Sequence, residues 1–158
     1  MASTAMAPVQ TAPGQRARPS FAGVWDVVRI TPAVKDSETA LKPGPITIRQ
    51  TPATLAIDHT AFGRVNTLTF TIDGSTPDTN KQGAQTWSTS TTWEGAALVT
   101  TGTISQVTSA GHAEWKFSET RSLDARGHMI VETKYIAQDG GVTASTLDLA
   151  RQKSPKES

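Results

Sequence analysis

Hydrophobic and polar residues alternate with a period of two along most of the chain between residues 21 and 151. For example, Leu68, Phe70 and Ile72 alternate with Thr69 and Thr71. Alternation of this kind predicts β-strands that bury one face, and about nine short runs show it. These runs cover residues 24–30, 46–49, 55–57, 68–72, 87–93, 98–104, 115–123, 129–135 and 147–151.

Turn-forming residues separate many of these runs. Asp73-Gly74, Glu94-Gly95 and Asp139-Gly140 each follow an alternating segment, and such pairs are strong signals for hairpins. The sequence therefore predicts an antiparallel meander. Only residues 31–45 could contain helix, around Val34–Leu41, and Pro43 and Pro45 limit it to one or two short turns.

A meander of this many strands has to protect its edges, and closure into a barrel does so directly. We therefore predict an all-β fold, an antiparallel up-and-down barrel of about 8–10 strands. An open sandwich of two sheets is the main alternative. The interior of such a barrel is either filled by side chains or holds one small ligand.

The chain length indicates one domain with a core large enough to fold without disulfides. Residues 1–20 contain three prolines and no hydrophobic periodicity, which predicts a disordered segment before a barrel domain at residues 21–151. Residues 152–158 form a polar tail. The chain shows no basic start and apolar stretch of a signal peptide. A Pro/Ala/Thr/Gln segment before the first strand is nevertheless common in mature exported bacterial proteins, so we expect a periplasmic or secreted location, with the cytoplasm as the alternative.

Composition excludes several classes of function. The 15 Lys and Arg residues nearly balance the 14 Asp and Glu residues, for a net charge of +1, whereas nucleic-acid binding needs a clustered basic face. No apolar run reaches the length of a membrane span, so membrane insertion is not expected. The absence of Cys rules out disulfides, thiol catalysis and Cys-ligated zinc. About one residue in six is Thr, which favours strands.

Three segments resemble the calycins, the superfamily of lipocalins and fatty-acid-binding proteins. Phe21–Trp25 has the pattern F-x-G-x-W at the start of the first predicted strand. Thr92–Val99 is similar to the W-[DE]-G-x-x-L-V hairpin of fatty-acid-binding proteins, and Leu123–Glu132 is similar to the strand that follows it. The segments occur in the same order and together span most of residues 21–151. The nearest resemblance is to uncharacterised exported bacterial proteins that begin with F-x-G-x-W.

The resemblance implies an up-and-down barrel whose first-strand Trp closes one end. Trp25 matches that residue, and Arg151 matches the basic residue of the last strand that stacks on it. Fatty-acid-binding proteins hold the ligand carboxylate with R-x-Y on the last strand. Here Leu147 and Leu149 stand in those places, so a long-chain fatty acid is not the ligand that the resemblance favours.

No motif for a metal, a cofactor or a catalytic nucleophile occurs. His59, His112 and His128 lack the spacing that places two ligands on one metal, and we expect them on the surface or in loops. Asp58 and His59 are adjacent but would point to opposite faces of a strand. Neither a G-x-S-x-G sequence nor a phosphate-binding glycine loop is present. The sequence thus predicts no cofactor and no metal.

The strand Trp115–Leu123 carries charge on its apolar face. Glu119 and Arg121 are two residues apart and hence lie side by side. A buried charge is costly unless it is paired, so the two side chains could pair and offer a polar contact to a ligand. Alternatively, this face turns to solvent beyond Phe117. The candidate ligand-binding residues are Trp87, Trp115, Phe117, Glu119, Arg121 and Tyr135.

Three functions remain open. We expect a small-molecule-binding barrel that holds a small hydrophobic or amphipathic molecule. The alternatives are a cofactor-free enzyme of the cyclase or isomerase type, with Glu119 and Arg121 as candidate catalytic residues, and a pocketless structural or interaction protein. The volume of the interior distinguishes the first two from the third, because ligand sites need several hundred cubic ångströms.

Overall fold

The computed structural model describes residues 18–31, 45–61 and 64–153, and every regular element in these ranges is a β-strand. The turns predicted at Val34–Leu41, most of the segment 1–20 and residues 154–158 lie outside the described residues. The strands are β1 Gly23–Thr31, β2 Ile46–Gln50, β3 Thr54–Ala61, β4 Arg64–Thr71, β5 Asp78–Gln82, β6 Gln85–Glu94, β7 Ala97–Thr108, β8 Gly111–Leu123, β9 Met129–Ala137 and β10 Val142–Arg151.

All ten strands belong to one antiparallel sheet in the order β4-β3-β2-β1-β10-β9-β8-β7-β6-β5. Each strand therefore lies beside its neighbours in sequence, and the pairing of β1 with β10 joins the two halves. The edge strands β4 and β5 lie next to each other, so the sheet is a nearly closed up-and-down barrel. This architecture confirms the predicted fold class.

The core fills one end of the barrel, which we call the closed end. Inward-facing residues of the alternating runs form it, as their spacing predicts. Its largest fully buried members are Phe21, Trp25, Ile48, Ile72, Leu98, Met129 and Leu149. The opposite end, which we call the open end, lies at the β7–β8 and β9–β10 turns.

Trp25 anchors the closed end. Its side chain is 0% exposed, and its indole Nε1 donates a hydrogen bond to the Phe21 carbonyl at 2.9 Å. The Arg151 guanidinium lies 4.5 Å from the centre of the indole ring, as the resemblance implied. Arg151 also donates to the Ser20 carbonyl at 2.9 Å, which holds the start of the described chain against the barrel.

Strand β5 is the one strand that hydrophobic alternation did not predict. Its sequence, Asp-Thr-Asn-Lys-Gln, has no apolar residue. It pairs with β6 on one side, and on the other side two of its side chains replace the backbone ladder. Asp78 accepts from the Thr71 amide at 2.7 Å, and Asn80 both accepts from the Thr69 amide at 3.0 Å and donates to its carbonyl at 2.9 Å. Polar side chains therefore close the seam between β4 and β5.

Two buried threonines on the inner face of β6 differ in whether their hydroxyl groups are hydrogen-bonded. Thr91 lies opposite Thr100, and the two hydroxyl oxygens are 2.8 Å apart in a buried hydrogen bond. Thr89 lies opposite Gly102, which has no side chain to offer, and its buried hydroxyl has no partner in the described residues. A Cβ at Gly102 would come within 2.0 Å of the Ser88 carbonyl oxygen, so the close approach of β6 and β7 requires glycine there.

We expect Thr89→Val to raise the free energy of unfolding by about 1 kcal/mol, because it removes a buried hydroxyl that lacks a hydrogen bond. Thr91→Val is the matched control and should lower it by about 1–3 kcal/mol, since it leaves the buried Thr100 hydroxyl without its partner. Urea unfolding of both variants measures the difference. Equal losses in the two variants would mean that the Thr89 hydroxyl is hydrogen-bonded in solution.

Candidate functional site

A pocket of about 380 Å³ opens at the open end of the barrel. Aromatic side chains from β6, β8 and β9 form its walls, with small and polar residues between them. It is lined by Gln85, Trp87, Ile104, Trp115, Tyr135, Ala137, Gly141 and Thr143. Its volume falls within the range of small-molecule sites, and an aromatic lining with a few polar groups is typical of them.

Some of the polar groups of this pocket form hydrogen bonds with one another or with neighbouring side chains. Trp87 Nε1 donates to Gln85 Oε1 at 3.1 Å, and Gln85 Nε2 donates to Gln106 Oε1 at 3.2 Å. Burial and the negative charge of Glu119 raise the pKa of the Tyr135 phenol. The phenol therefore stays protonated at neutral pH and can donate a hydrogen bond into the pocket.

A second, smaller cavity of about 140 Å³ lies in the barrel interior, and Trp87 lines both spaces. Phe117 is in edge contact with Trp87 at 5.1 Å between ring centres, and it contacts Tyr135 at 5.4 Å. This aromatic cluster lies where the two spaces meet. The interior cavity is lined mainly by apolar residues, with three titratable ones: Ile46, Ile57, His59, Leu68, Phe70, Trp87, Phe117, Glu119, Arg121, Val131, Leu147 and Leu149.

Glu119 and Arg121 form an ion pair on the wall of the interior cavity. Arg121 Nη2 lies 2.8 Å from Glu119 Oε1, and their side chains are 8% and 19% exposed. Arg121 Nη1 also approaches the Met129 sulfur at 3.4 Å. Of the two possibilities that the sequence left open, the structure shows the pairing, and this face does not turn to solvent beyond Phe117. The pair lies inside because β8 continues its alternation through Arg121 without a bulge.

The structure brings the predicted ligand-binding residues together. Trp87, Trp115 and Tyr135 line the open pocket, whereas Phe117, Glu119 and Arg121 line the interior cavity. Their role in binding stays a prediction.

The expectation that His59 lies on the surface or in a loop is wrong, because His59 is half-buried on β3 and lines the interior cavity. The spacing of Leu55, Ile57 and His59 by two residues would have predicted that the His59 side chain shares the inward face of the two apolar residues. The neighbouring Asp58 does point outwards, as expected, where it pairs with Arg49 at 2.9 Å.

Another titratable cluster lies outside the barrel at the β8–β9 turn. His128 Nδ1 is 2.7 Å from Asp148 Oδ1, and Arg126 bridges Asp148 at 3.0 Å and Asp124 at 2.8 Å. Although desolvation opposes the effect, hydrogen bonds from His128 and Arg126 lower the pKa of Asp148. Asp124 also accepts hydrogen bonds from the His128 and Arg126 amides, so the cluster fixes the turn.

No group of three or more His, Asp or Glu side chains in ranges 18–31, 45–61 and 64–153 is placed to hold a metal ion. No helix in the same ranges is long and apolar enough to cross a membrane.

Comparison with solved structures identifies the fold. Lipid binding protein 8 of Caenorhabditis elegans, in its apo form, superposes with a TM-score of 0.59 at 13% identity, over 84% of this chain and 95% of that one. This chain shares the up-and-down β-barrel fold of that protein. The REP1-NXSQ fatty acid transporter gives a TM-score of 0.56 at 13% identity, over 84% of this chain and 96% of that one. No protein-family model matches the chain, and no curated protein is similar to it in sequence.

Proposed function

We propose that this protein is a ligand-binding barrel that holds a small apolar or amphipathic molecule in its interior. The observation that carries the proposal is the aromatic pocket of about 380 Å³ at the open end, which adjoins the interior cavity at Trp87. The pocket offers Trp115 and Tyr135 for contact with an apolar body, and the Glu119–Arg121 pair beyond it offers a polar contact. The barrels with similar folds carry names that describe lipid binding and fatty acid transport, which supports a ligand of this class.

Titration with Nile red, an uncharged fluorophore that brightens in apolar surroundings, tests this function. We expect saturable binding of one molecule per chain, with a blue shift of emission and quenching of tryptophan fluorescence, because Trp87 and Trp115 line the pocket. Ala137→Trp should fill the pocket and weaken binding at least about tenfold.

The matched control is Ala144→Trp, because Ala144 is exposed on the outer face of β10. This variant should bind Nile red like the parent protein. Binding that does not saturate, or that Ala137→Trp leaves unchanged, would contradict a site at the open end.

Catalysis in the same cavity is a second candidate function. His59, Glu119 and Arg121 line one interior space, and a carboxylate or imidazole positioned beside a bound molecule can transfer protons without a cofactor. A cyclase or isomerase would use this arrangement. Mass spectrometry and NMR of ligand released from the purified protein distinguish the two functions, because binding alone returns the ligand with its structure unchanged.

A further inference from the structure

The opposite charges of Glu119 and Arg121 on the wall of the interior cavity cancel each other. Arg121 is 6% exposed, and the carboxylate of Glu119 lies against it at 2.8 Å. Most of the remaining wall of the interior cavity is apolar. A molecule that enters the cavity therefore meets a neutral pair rather than a free positive charge.

The pair still has hydrogen-bonding capacity to offer. A guanidinium carries five N–H donors and a carboxylate has two acceptor oxygens. Within the described residues, Arg121 donates only to Glu119 Oε1 and to the Met129 sulfur, a weak acceptor, and no hydrogen bond reaches the second oxygen of Glu119. The cavity wall thus presents donors and an acceptor side by side without net charge.

This arrangement disfavours a charged end group on the ligand. A carboxylate would either displace Glu119 from Arg121 or bring a second negative charge close to it, and like charges in a site of low dielectric repel strongly. An ammonium group on the ligand would bring a second positive charge close to Arg121 and would be repelled likewise. A hydroxyl or carboxamide both donates and accepts hydrogen bonds, so it can bind to both members of the pair while the pair stays intact.

We propose that Glu119 is a specificity-determining residue, and that the cavity selects an uncharged amphiphile ending in a hydroxyl or carboxamide over the corresponding carboxylate. The inference rests on the proposed ligand-binding function. Among the described residues, Arg121 is the one arginine that lines the interior cavity, and Glu119 neutralises it. A ligand carboxylate, which would bind to an unpaired arginine, is therefore disfavoured in this cavity.

Displacement of Nile red by a matched series of probes tests the selectivity. Decanol, decanamide, decanoate and decylammonium share one apolar chain and differ in the end group. At neutral pH we expect decanol and decanamide to bind at least about tenfold more tightly than either charged probe, because only they leave the ion pair intact.

Glu119→Gln should change that order. It frees the positive charge of Arg121, so decanoate should bind at least about tenfold more tightly than to the parent protein, while decanol changes by less than about threefold. Glu132→Gln is the matched control, since Glu132 is exposed on the outer face of β9, and it should leave all four affinities unchanged. Thermal melts of both variants establish that they are folded.

The outcomes separate this inference from the proposed function. If Nile red does not bind at a saturable site, the ligand-binding function itself is wrong. If Nile red binds but decanoate displaces it as well as decanol does in the parent protein, only the selectivity is wrong. Should Glu119→Gln fail to fold, the ranking of the four probes on the parent protein still decides the question.

Discussion

Replacing Trp25 with alanine is expected to lower the free energy of unfolding by about 3–5 kcal/mol, the range for truncating a large buried aromatic side chain. The side chain is fully buried, and its loss would leave a cavity among the residues that close the barrel. The Phe21 carbonyl would also lose the indole donor at 2.9 Å, and Arg151 would lose the ring that its guanidinium covers. Urea unfolding followed by circular dichroism measures the change.

Trp115→Ala is the matched control for that experiment. Trp115 is half-buried at the rim of the open pocket, so its truncation removes less packing and should cost less than half as much stability. A loss below about 1 kcal/mol for Trp25→Ala would place Trp25 outside the core and contradict its role at the closed end.

Arg121→Ala is expected to lower the free energy of unfolding by about 3–5 kcal/mol, because it leaves the Glu119 carboxylate on the wall of the interior cavity without its partner. The double variant Glu119→Gln with Arg121→Met should recover much of this loss, since it removes both charges and keeps most of the side-chain volume. Urea unfolding of the parent protein, Glu119→Gln, Arg121→Met and the double variant gives the coupling energy between the two side chains.

A surface ion pair provides the comparison. Arg49 and Asp58 are 2.9 Å apart, close to the distance in the interior pair, but the Arg49 side chain is 62% exposed, so Arg49→Ala should cost less than about 1 kcal/mol. If the coupling between Glu119 and Arg121 were as small as that between Arg49 and Asp58, the interior pair would be solvated and would not be a polar contact for a ligand.

Alternation was a sufficient signal for nine of the strands because each buries apolar side chains on one face. In β1 a register shift between Val27 and Arg29 interrupts the alternation. Strand β5 buries no apolar residue. It is held by pairing with β6 and by hydrogen bonds between β4 and the side chains of Asp78, which accepts, and Asn80, which accepts and donates. These contacts do not appear in the alternation of hydrophobic and polar residues along the chain. A strand specified by tertiary hydrogen bonds alone therefore escapes a prediction based on hydrophobicity.

The site was predictable to the extent that it follows from strand parity. Glu119 and Arg121 are two residues apart on one strand. This spacing predicts that their side chains lie on the same face, and in the structure they form a hydrogen bond. His59 belongs to β3, which lies far from β8 in the order of the sheet, and its approach to the interior cavity depends on barrel closure. The size of the interior also depends on how all ten strands pack, which no single segment encodes.

The pairing of β1 with β10 has a consequence for biosynthesis. It joins the two ends of the barrel, where Gln152 bonds to Asp26 across a separation of 126 residues, whereas every other pair of adjacent strands is consecutive in the chain. During synthesis each hairpin can form as it emerges, but the edge of β1 stays unpaired until β10 is made. Unpaired strand edges promote aggregation of incomplete chains. The ten residues of β10 therefore determine when the nascent chain ceases to expose that edge to its neighbours.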